Sequence, residues 1–365
     1  MNLAELVRDR AIIVCCGSGG VGKTTVAAAL AVGAAERGRR VCVVTIDPAK
    51  RLADALGLGS LTNEPGRVAG DWSGELWALM LDTKGTFDSL VTRYAANPAQ
   101  AESIINNRLY RNISGALSGT SEYMAIEKLY QLHDEGGFDL IVVDTPPTRN
   151  ALDFLNAPKR LTRFLDNRVF RLLITPTRAY MKAVSVATQA LLRTMSKVVG
   201  TEVVRDTIAF FQAFEGMEQG FRDRASLMLE LLGQTDTAFV LVTSPRPDAI
   251  EEAMYFADKL AQSEMSFQAL VVNRLHPRFG SEDVPLPPGP EGPATSPDNP
   301  VLATLRTNLA ELRGVAVREE AQFAEVADKV SPAPVARVPF LSSDVHDVAG
   351  LEEVATHLFA TGLVE

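Results

Sequence analysis

Residues 17–25 read GSGGVGKTT, and their types and spacing are those of a loop that binds the phosphates of a nucleotide. In the pattern G-x-x-x-x-G-K-[ST], glycines let backbone N–H groups approach phosphate oxygens, the lysine reaches the β- and γ-phosphates, and the hydroxyl binds Mg²⁺. The residues predicted to contact the nucleotide here are Gly17, Gly19, Gly20, Val21, Gly22, Lys23, Thr24 and Thr25. We therefore predict a site for a nucleoside triphosphate and Mg²⁺, in which Lys23 is a catalytic residue on the β- and γ-phosphates and Thr24 supplies its hydroxyl to Mg²⁺.

Two aspartates follow apolar runs and could complete such a site. Asp144 ends the run in LIVVDTPP (140–147), where it could hold a water molecule bound to Mg²⁺. Asp47 ends the run in TIDPAKRL (45–52), and loops at the carboxyl ends of parallel strands line the ligand crevice. Each aspartate, taken alone, could equally be the N-cap of a helix. Beside a phosphate-binding loop, both are predicted to be site residues.

The elements that would position these residues are short apolar runs separated by helical patterns. Runs that are apolar at successive positions are typical of strands covered on both faces, and therefore of a mostly parallel sheet between helices. The runs are AIIVCC (11–16), VCVVTI (41–46), ELWALML (75–81), FDLIVVD (138–144), TAFVLVT (237–243), FQALVVN (267–273) and the weaker VARVPF (335–340). Helical patterns at 23–37 and 248–262 complete the prediction of a doubly wound α/β fold.

Two stretches read as helices without strands and predict an inserted α-helical subdomain. The predicted α/β core comprises 1–82, 136–157 and 236–365, and the insert comprises 83–135 and 158–235. Within the insert, an apolar stripe follows helical spacing: Val204, Ile208, Phe211, Phe214, Met217 and Phe221. The stripe could be a groove for an apolar helix or an ordinary part of the core. Residues 277–300 are dense in Pro and Gly and predict a mobile surface loop.

Composition narrows the function classes. The 365 residues include 45 Asp and Glu against 36 Lys and Arg, a formal net charge of −9 that disfavours nucleic-acid binding. Three cysteines are too few for a disulfide scaffold, and no run approaches the roughly 20 apolar residues of a membrane span. The first ten residues lack the apolar core of a signal peptide. We therefore predict a cytoplasmic protein without stable membrane insertion.

Four segments occur in the order seen in a known family. GSGGVGKTT, DPAKRLADALG (47–57), DTPPTRNALDFLNAP (144–158) and VVNRL (271–275) resemble the arsenite-pump and tail-anchored-protein targeting ATPases, within the deviant-Walker P-loop NTPases. The sequence is most similar to one subunit of the actinobacterial two-subunit complex of this family. The resemblance implies a dimeric chaperone or targeting ATPase that uses ATP and Mg²⁺ to close around an apolar client and reopens on hydrolysis.

The resemblance also implies roles for particular residues. Asp47 would orient or deprotonate the attacking water, and Asn273 would read the edge of the adenine. Pro339 and Phe340 would line the adenine pocket. For Asn273, a turn at the end of a strand is the alternative interpretation.

The sequence departs from the family pattern at Ser18, where the signature motif has a lysine that reaches the partner's nucleotide. A homodimer would therefore have no signature lysine, which predicts a heterodimer with a lysine-bearing paralogous subunit. Lys50 and Arg51 replace the family's His and Asn, and could add positive charge near the phosphates or be a solvated pair. Without a C-x-x-C pair, neither zinc nor metalloid binding is expected, which argues against a metalloid pump.

Two other functions compete with the chaperone hypothesis. Ser18 would also suit a nucleotide-binding subunit that regulates a catalytic paralogue, although the retained Lys23, Thr24, Asp47 and Asp144 argue for catalysis. Partitioning or membrane-positioning relatives use basic surfaces or a basic amphipathic tail. Here the predicted C-terminal helix at 348–360 carries Glu352 and Glu353, which anionic lipid would repel.

Overall fold

The seven apolar runs form parallel strands of one sheet in a computed structural model of the chain. The strands are β1 Ile12–Cys16, β2 Arg40–Thr45, β3 Gly66–Val68, β4 Glu75–Met80, β5 Leu140–Asp144, β6 Thr237–Thr243, β7 Ala269–Leu275 and β8 Val335–Pro339. Their order across the sheet is β3-β4-β2-β5-β1-β6-β7-β8. Every residue of β1, β5 and β6 is buried, as expected for strands covered on both faces. The predicted doubly wound α/β fold is confirmed.

The structure describes residues 2–47, 51–113, 120–146, 151–166, 206–207, 209–210, 212–263, 265–277, 279 and 300–360.

Strand β3 has no counterpart in the sequence prediction. It is three residues long, pairs antiparallel with β4 at the edge of the sheet, and buries only Val68. A segment so short shows neither an apolar run nor an alternating pattern, because edge pairing rather than burial holds it in place.

Strand register explains how distant residues meet at one edge of the sheet. Asp144 of β5 lies opposite Cys15 of β1 and opposite Thr45 of β2. The loop that begins at Gly17 and the residue Asp47 therefore leave the sheet at nearly the same level as Asp144. This alignment places the three sequence motifs side by side, although Asp144 is 97 residues from Asp47 and 127 residues from Gly17 along the chain.

The chain divides into two compact units. The first contains residues Met1–Met80, Gly136–Ala151 and Thr235–Glu365, including the whole sheet. Helices that lie entirely within it are α1 Leu3–Asp9, α2 Lys23–Glu36, α3 Arg51–Ala55, α10 Pro247–Gln262, α11 Pro300–Val330 and α12 Val348–Phe359. Helix α2 is buried around most of its circumference, since its alanine-rich sequence packs with little side-chain volume.

The second unit contains residues Leu81–Glu135 and Leu152–Gln234. Its described residues include the helices α4 Thr83–Tyr94, α5 Pro98–Ile105, α6 Arg108–Ile113, α7 Thr120–Asp134, α8 Ala151–Asp166 and α9 Glu218–Gly233. The boundary expected between 157 and 158 falls inside α8, and from Leu152 onward this helix belongs to the second unit.

The apolar stripe predicted at 204–221 is not one continuous helical face. A turn at Phe214–Met217, with Gly216 at φ +82°, separates helical residues before it from α9 after it. Phe214 and Phe221 stack at 5.6 Å between ring centroids, and both are buried with Met217. The described part of the stripe is therefore core of the second unit. Val204, Ile208 and Phe211 lie outside the described residues, as do all but 277, 279 and 300 of the loop predicted at 277–300.

Candidate functional site

The phosphate-binding loop connects buried β1 to the start of α2 at Lys23. Gly22 is the N-cap of α2 at φ +92°, so no side chain covers the first turn of the helix. The unpaired N–H groups of that turn and the positive end of the helix dipole can therefore face an anion. At Gly17, a Cβ atom would overlap the carbonyl oxygen of Val242, because β1 and β6 approach closely there. The loop thus requires glycine at this position for close backbone packing.

Lys23 lies inside the site rather than at its rim. The side chain is buried, and its Nζ donates a hydrogen bond of 2.8 Å to the carbonyl oxygen of Ser18. Burial lowers the pKa of Lys23, although the nearby Asp144 carboxylate opposes that shift. The ammonium group is thus desolvated within the loop, where an incoming phosphate could replace Ser18 as its partner.

Asp144 is the most buried carboxylate of the site. Its Oδ2 accepts hydrogen bonds from Thr24 Oγ1 at 2.8 Å and from Thr45 Oγ1 at 2.9 Å. Its Oδ1 is buried without a hydrogen-bond partner among the described residues. Burial raises the pKa of Asp144 to about 6, although both hydrogen bonds favour the charged form. A buried carboxylate oxygen beside a threonine hydroxyl fits a hydrated Mg²⁺ ion, which prefers oxygen ligands and retains several waters.

Asp47 is linked to Asp144 through a single threonine. The Asp47 backbone N–H donates to Thr45 Oγ1 at 3.2 Å, and the same hydroxyl donates to Asp144. The Asp47 carboxylate is mostly buried and lies 3.7 Å from Nη1 of Arg51 on α3. The side chain of Arg51 is well exposed, so this ion pair is weak. Lys50, the other half of the predicted basic pair, lies outside the described residues.

A cavity of about 490 Å³ opens over these groups, a size typical of small-molecule sites. It adjoins the carboxyl ends of β1, β2 and β5. The lining combines predicted residues with others that the sequence prediction missed: Gly20, Gly22, Lys23, Thr24, Thr25, Asp47, Arg51, Asp54, Ala55, Thr145, Arg274 and Val345. Nucleotide-sized volume, basic groups and carboxylates therefore occur together in the first unit.

Among the polar residues of the site that the sequence prediction missed are Thr45, Thr145 and Arg274. Thr145 Oγ1 donates to the carbonyl oxygen of Cys15 at 2.7 Å and ties the end of β5 to β1. The only sequence signal was proximity, because each residue neighbours a predicted site residue. Their partners become apparent only once the strands are in register.

The three residues expected at the adenine are placed differently from the phosphate-binding residues. Asn273 is buried, and its Nδ2 donates to the carbonyl oxygen of Val21 at 2.9 Å. Pro339 ends β8, and Phe340 is half exposed with its ring 5.1 Å from that of His276. All three lie outside the cavity lining that the described residues define. Their contact with adenine stays a prediction.

The cysteines lie in strands of the first unit, and all three are buried. Burial raises the pKa of the Cys16 thiol to about 12 and raises that of Cys15 as well. Across the described residues, no three His, Cys, Asp or Glu side chains converge in a way that could hold a metal ion. Over the same part of the chain, no helix combines the length and the apolar composition needed to cross a bilayer.

Together, the parallel sheet, the glycine-rich loop and the buried aspartate at the end of β5 define a P-loop nucleotide-binding protein. The family model described as "Anion-transporting ATPase" matches residues 10–285 of the chain. The chain belongs to this ArsA-type ATPase family and carries its ATPase domain. The predicted family resemblance is therefore confirmed, while its placement with the actinobacterial two-subunit complex stays a prediction.

Individual relatives share about a quarter to a third of their aligned residues with the chain. It is 33% identical to an "ATPase ASNA1 homolog" from Babesia bovis over 41% of this chain and 39% of that protein. It is 27% identical to "ATPase ARSA1" from Chlamydomonas reinhardtii over 73% of this chain and 35% of that protein. It is 26% identical to "ATPase GET3" from Malassezia globosa over 74% of each chain. The chain thus spans well under half the length of the first two.

Proposed function

We propose that this chain binds ATP with Mg²⁺ in the cavity at the end of β1 and hydrolyses it by transfer of the terminal phosphoryl group to water. One observation carries the proposal: Thr24, which lines the cavity, donates a hydrogen bond to Asp144, and the second oxygen of Asp144 has no partner among the described residues. Family membership supports the same reaction.

Each residue would have a distinct task. The N–H groups of the loop and Lys23 would bind the phosphates, and Thr24 would supply its hydroxyl to the metal. Asp144 would hold a metal-bound water, and Mg²⁺, when bound there, would neutralise charge on the phosphates. Asp47 would orient the attacking water or accept its proton. The hydrogen bonds through Thr45 support this pairing of Asp47 with Asp144, because they hold both residues at the same edge of the sheet.

Phosphate release from MgATP tests the reaction. Lys23→Met should lose nucleotide binding, whereas Asp47→Asn should retain it and lose turnover at least about a hundredfold, as is typical when a catalytic base is removed. Asp71→Asn, which removes an exposed carboxylate elsewhere in the first unit, is the matched control. Turnover by Asp47→Asn equal to that of the control would refute the role of Asp47.

For the base of the nucleotide, we propose that Asn273, Pro339 and Phe340 form the adenine side of the site. All three lie at the ends of the neighbouring strands β7 and β8, and the backbone N–H of Phe340 donates to Leu275 at 2.8 Å. Comparing the affinities for MgATP and MgGTP in wild type and Phe340→Ala tests this assignment. Unchanged discrimination between the two bases would contradict a role for Phe340.

We further propose that the chain acts in a dimeric chaperone or targeting complex, with a lysine-bearing paralogue as its partner. The relatives named ASNA1 homolog and GET3 support the proposal of a chaperone or targeting complex. Ser18, which stands where the family motif has a lysine, supports a partner that supplies that lysine. A cation supplied across an interface contributes roughly 10³–10⁵ in rate. The isolated chain should therefore turn over slowly, and Ser18→Lys should accelerate it. Fast turnover that Ser18→Lys does not change would contradict the proposal.

An apolar helix is the client class that we propose, and nucleotide state should control its retention. A fluorescent apolar peptide of about 20 residues, the length of a membrane span, is a suitable probe. The Asp47→Asn protein should retain it in ATP and release it in ADP. Equal retention in both nucleotides would refute the coupling. Phe214, Met217 and Phe221 do not form an exposed client surface, because they are buried in the second unit.

A regulatory, non-hydrolysing subunit is the second candidate, and the serine at position 18 favours it. The two candidates differ in the reconstituted heterodimer. If the chain only regulates, Asp47→Asn should leave total turnover unchanged. If it catalyses, the variant should remove the share of turnover that depends on this chain.

A further inference from the structure

Two consecutive residues at the end of β7 reach two consecutive carbonyl groups of the phosphate-binding loop. Asn273 Nδ2 donates to Val21 O at 2.9 Å, and Arg274 Nη1 donates to Gly20 O at 3.1 Å. The Asn273 amide also lies against Gly22, where a Cβ atom would overlap its nitrogen. Because 250 or more residues of sequence separate the two segments, these contacts exist only in the folded sheet.

Adjacent residues of a regular strand point to opposite faces, so β7 must distort for both side chains to reach the loop. It does so at this point. Arg274 has φ +64°, in the left-handed region that favours glycine, and the pairing of β7 with β8 shifts register between Asn273 and Leu275. Bulges next to active sites commonly re-aim a side chain, and backbone outliers concentrate where function requires them.

The Asn273 side chain is itself oriented by this distortion. The backbone N–H of Arg274 donates to Asn273 Oδ1 at 3.0 Å, which leaves Nδ2 to face Val21. Each end of the amide therefore makes one hydrogen bond within the protein, and each retains the capacity for a second. Arg274 is exposed apart from its contact with the loop, and its side chain lines the cavity.

A hydrogen bond that fixes the direction of a carbonyl group also fixes the direction of the N–H group of the next residue. Within one planar peptide unit, C=O and N–H point in opposite directions. With the carbonyls of Gly20 and Val21 held toward β7, the N–H groups of Val21 and Gly22 must point away from β7. These are N–H groups of the loop that would bind phosphate oxygens.

We propose that Asn273 and Arg274 form a clamp of positioning residues that orients the Val21 and Gly22 N–H groups toward the β-phosphate of the nucleotide. This inference rests on the proposed nucleotide site. The clamp requires no direct contact between Arg274 and a phosphate, because it acts through the loop backbone. It also gives the strained residue at the end of β7 a function.

Arg274→Gly and Arg274→Met test the clamp by calorimetric titration with MgADP and with a non-hydrolysable MgATP analogue. Loss of one net hydrogen bond should weaken both nucleotides about three- to tenfold, by the same factor. Arg274→Lys, which can still donate to Gly20 O, should recover most of the affinity. Arg246→Met removes an exposed arginine after β6, away from the cavity, and is the matched control.

Thermal unfolding of the nucleotide-free protein separates positioning from a merely structural role. Arg274→Gly should not lower the midpoint, because glycine relieves the strain at φ +64°. If Arg274→Gly lowered both the thermal midpoint and the nucleotide affinity, the clamp would be overturned. Unchanged affinity in both Arg274→Gly and Arg274→Met would also overturn it, and so would a loss of affinity for the ATP analogue alone. If the wild-type protein bound neither nucleotide, the proposed site itself would be wrong, a result distinct from failure of the clamp.

Discussion

Replacing Asp144 with Asn should stabilise the nucleotide-free protein at neutral pH while it abolishes the use of Mg²⁺. The Asp144 carboxyl is 1% exposed and has a pKa of about 6, against 3.8 for an ordinary aspartate. Because the folded-state pKa is raised, the contribution of this group to stability is fully present below the unfolded pKa and is lost as pH rises through 6. At 1.36 kcal/mol per pH unit, keeping the carboxylate charged at pH 8 costs about 3 kcal/mol.

Asn retains an oxygen that can accept from Thr24 and Thr45 but cannot ionise. The thermal midpoint of Asp144→Asn without nucleotide should therefore exceed that of wild type by about 6 °C at pH 8, on the scale of roughly 2 °C per kcal/mol for a large domain. At pH 4 the two proteins should unfold at nearly the same temperature. Adding MgATP should raise the midpoint of wild type and not that of the variant.

The measurement is thermal unfolding of both proteins at intervals from pH 4 to pH 8, with and without MgATP. The difference in thermal midpoint between wild type and Asp144→Asn at each pH removes the contributions of other titrating groups. Asp71→Asn serves as the control for loss of one negative charge. A variant less stable than wild type at pH 8 would refute the reasoning, because the charge at Asp144 would then be stabilising. A pH-independent difference would show that ionisation is not its cause.

Three further changes test other parts of the structure. Gly17→Ala should lower stability by at least about 2 kcal/mol in urea unfolding, since its Cβ would overlap the backbone of β6, and unchanged stability would contradict that packing. Arg224→Met should lower the free energy of unfolding by about 3–5 kcal/mol, because it leaves the buried Glu127 carboxylate, which lies 2.7 Å from Arg224, without its partner. Adding Glu127→Met should recover most of that loss. No recovery in the double variant would refute the ion-pair explanation. Thr45→Val should lower kcat about tenfold and change the affinity for MgADP by less than about twofold, because the Thr45 hydroxyl bridges the two site aspartates. An equal loss of kcat and of MgADP affinity would indicate a general distortion of the site.

The parallel sheet and the phosphate-binding loop were predictable because their signals are local. Burial on both faces produces continuous apolar runs such as TAFVLVT, and the loop needs glycine at fixed spacings before Lys23. Strand β3 gave no comparable signal, since three edge residues bury one side chain. The stripe at 204–221 was misread as one helix because its spacing continues across the turn at Gly216, which periodicity alone does not detect.

Residue types and local patterns were enough to identify the functional groups: the loop, Lys23, Thr24 and an aspartate at the end of each of two strands. The coupling between these groups depends on the three-dimensional fold. Strand register places Thr45 between Asp47 and Asp144, and the distorted end of β7 brings Arg274 to Gly20. The physical reason is that motifs encode residue type and local backbone conformation, whereas hydrogen bonds across about 100 to 250 residues depend on how strands align. Burial, which raises the pKa of Asp144, likewise results from packing of the whole first unit.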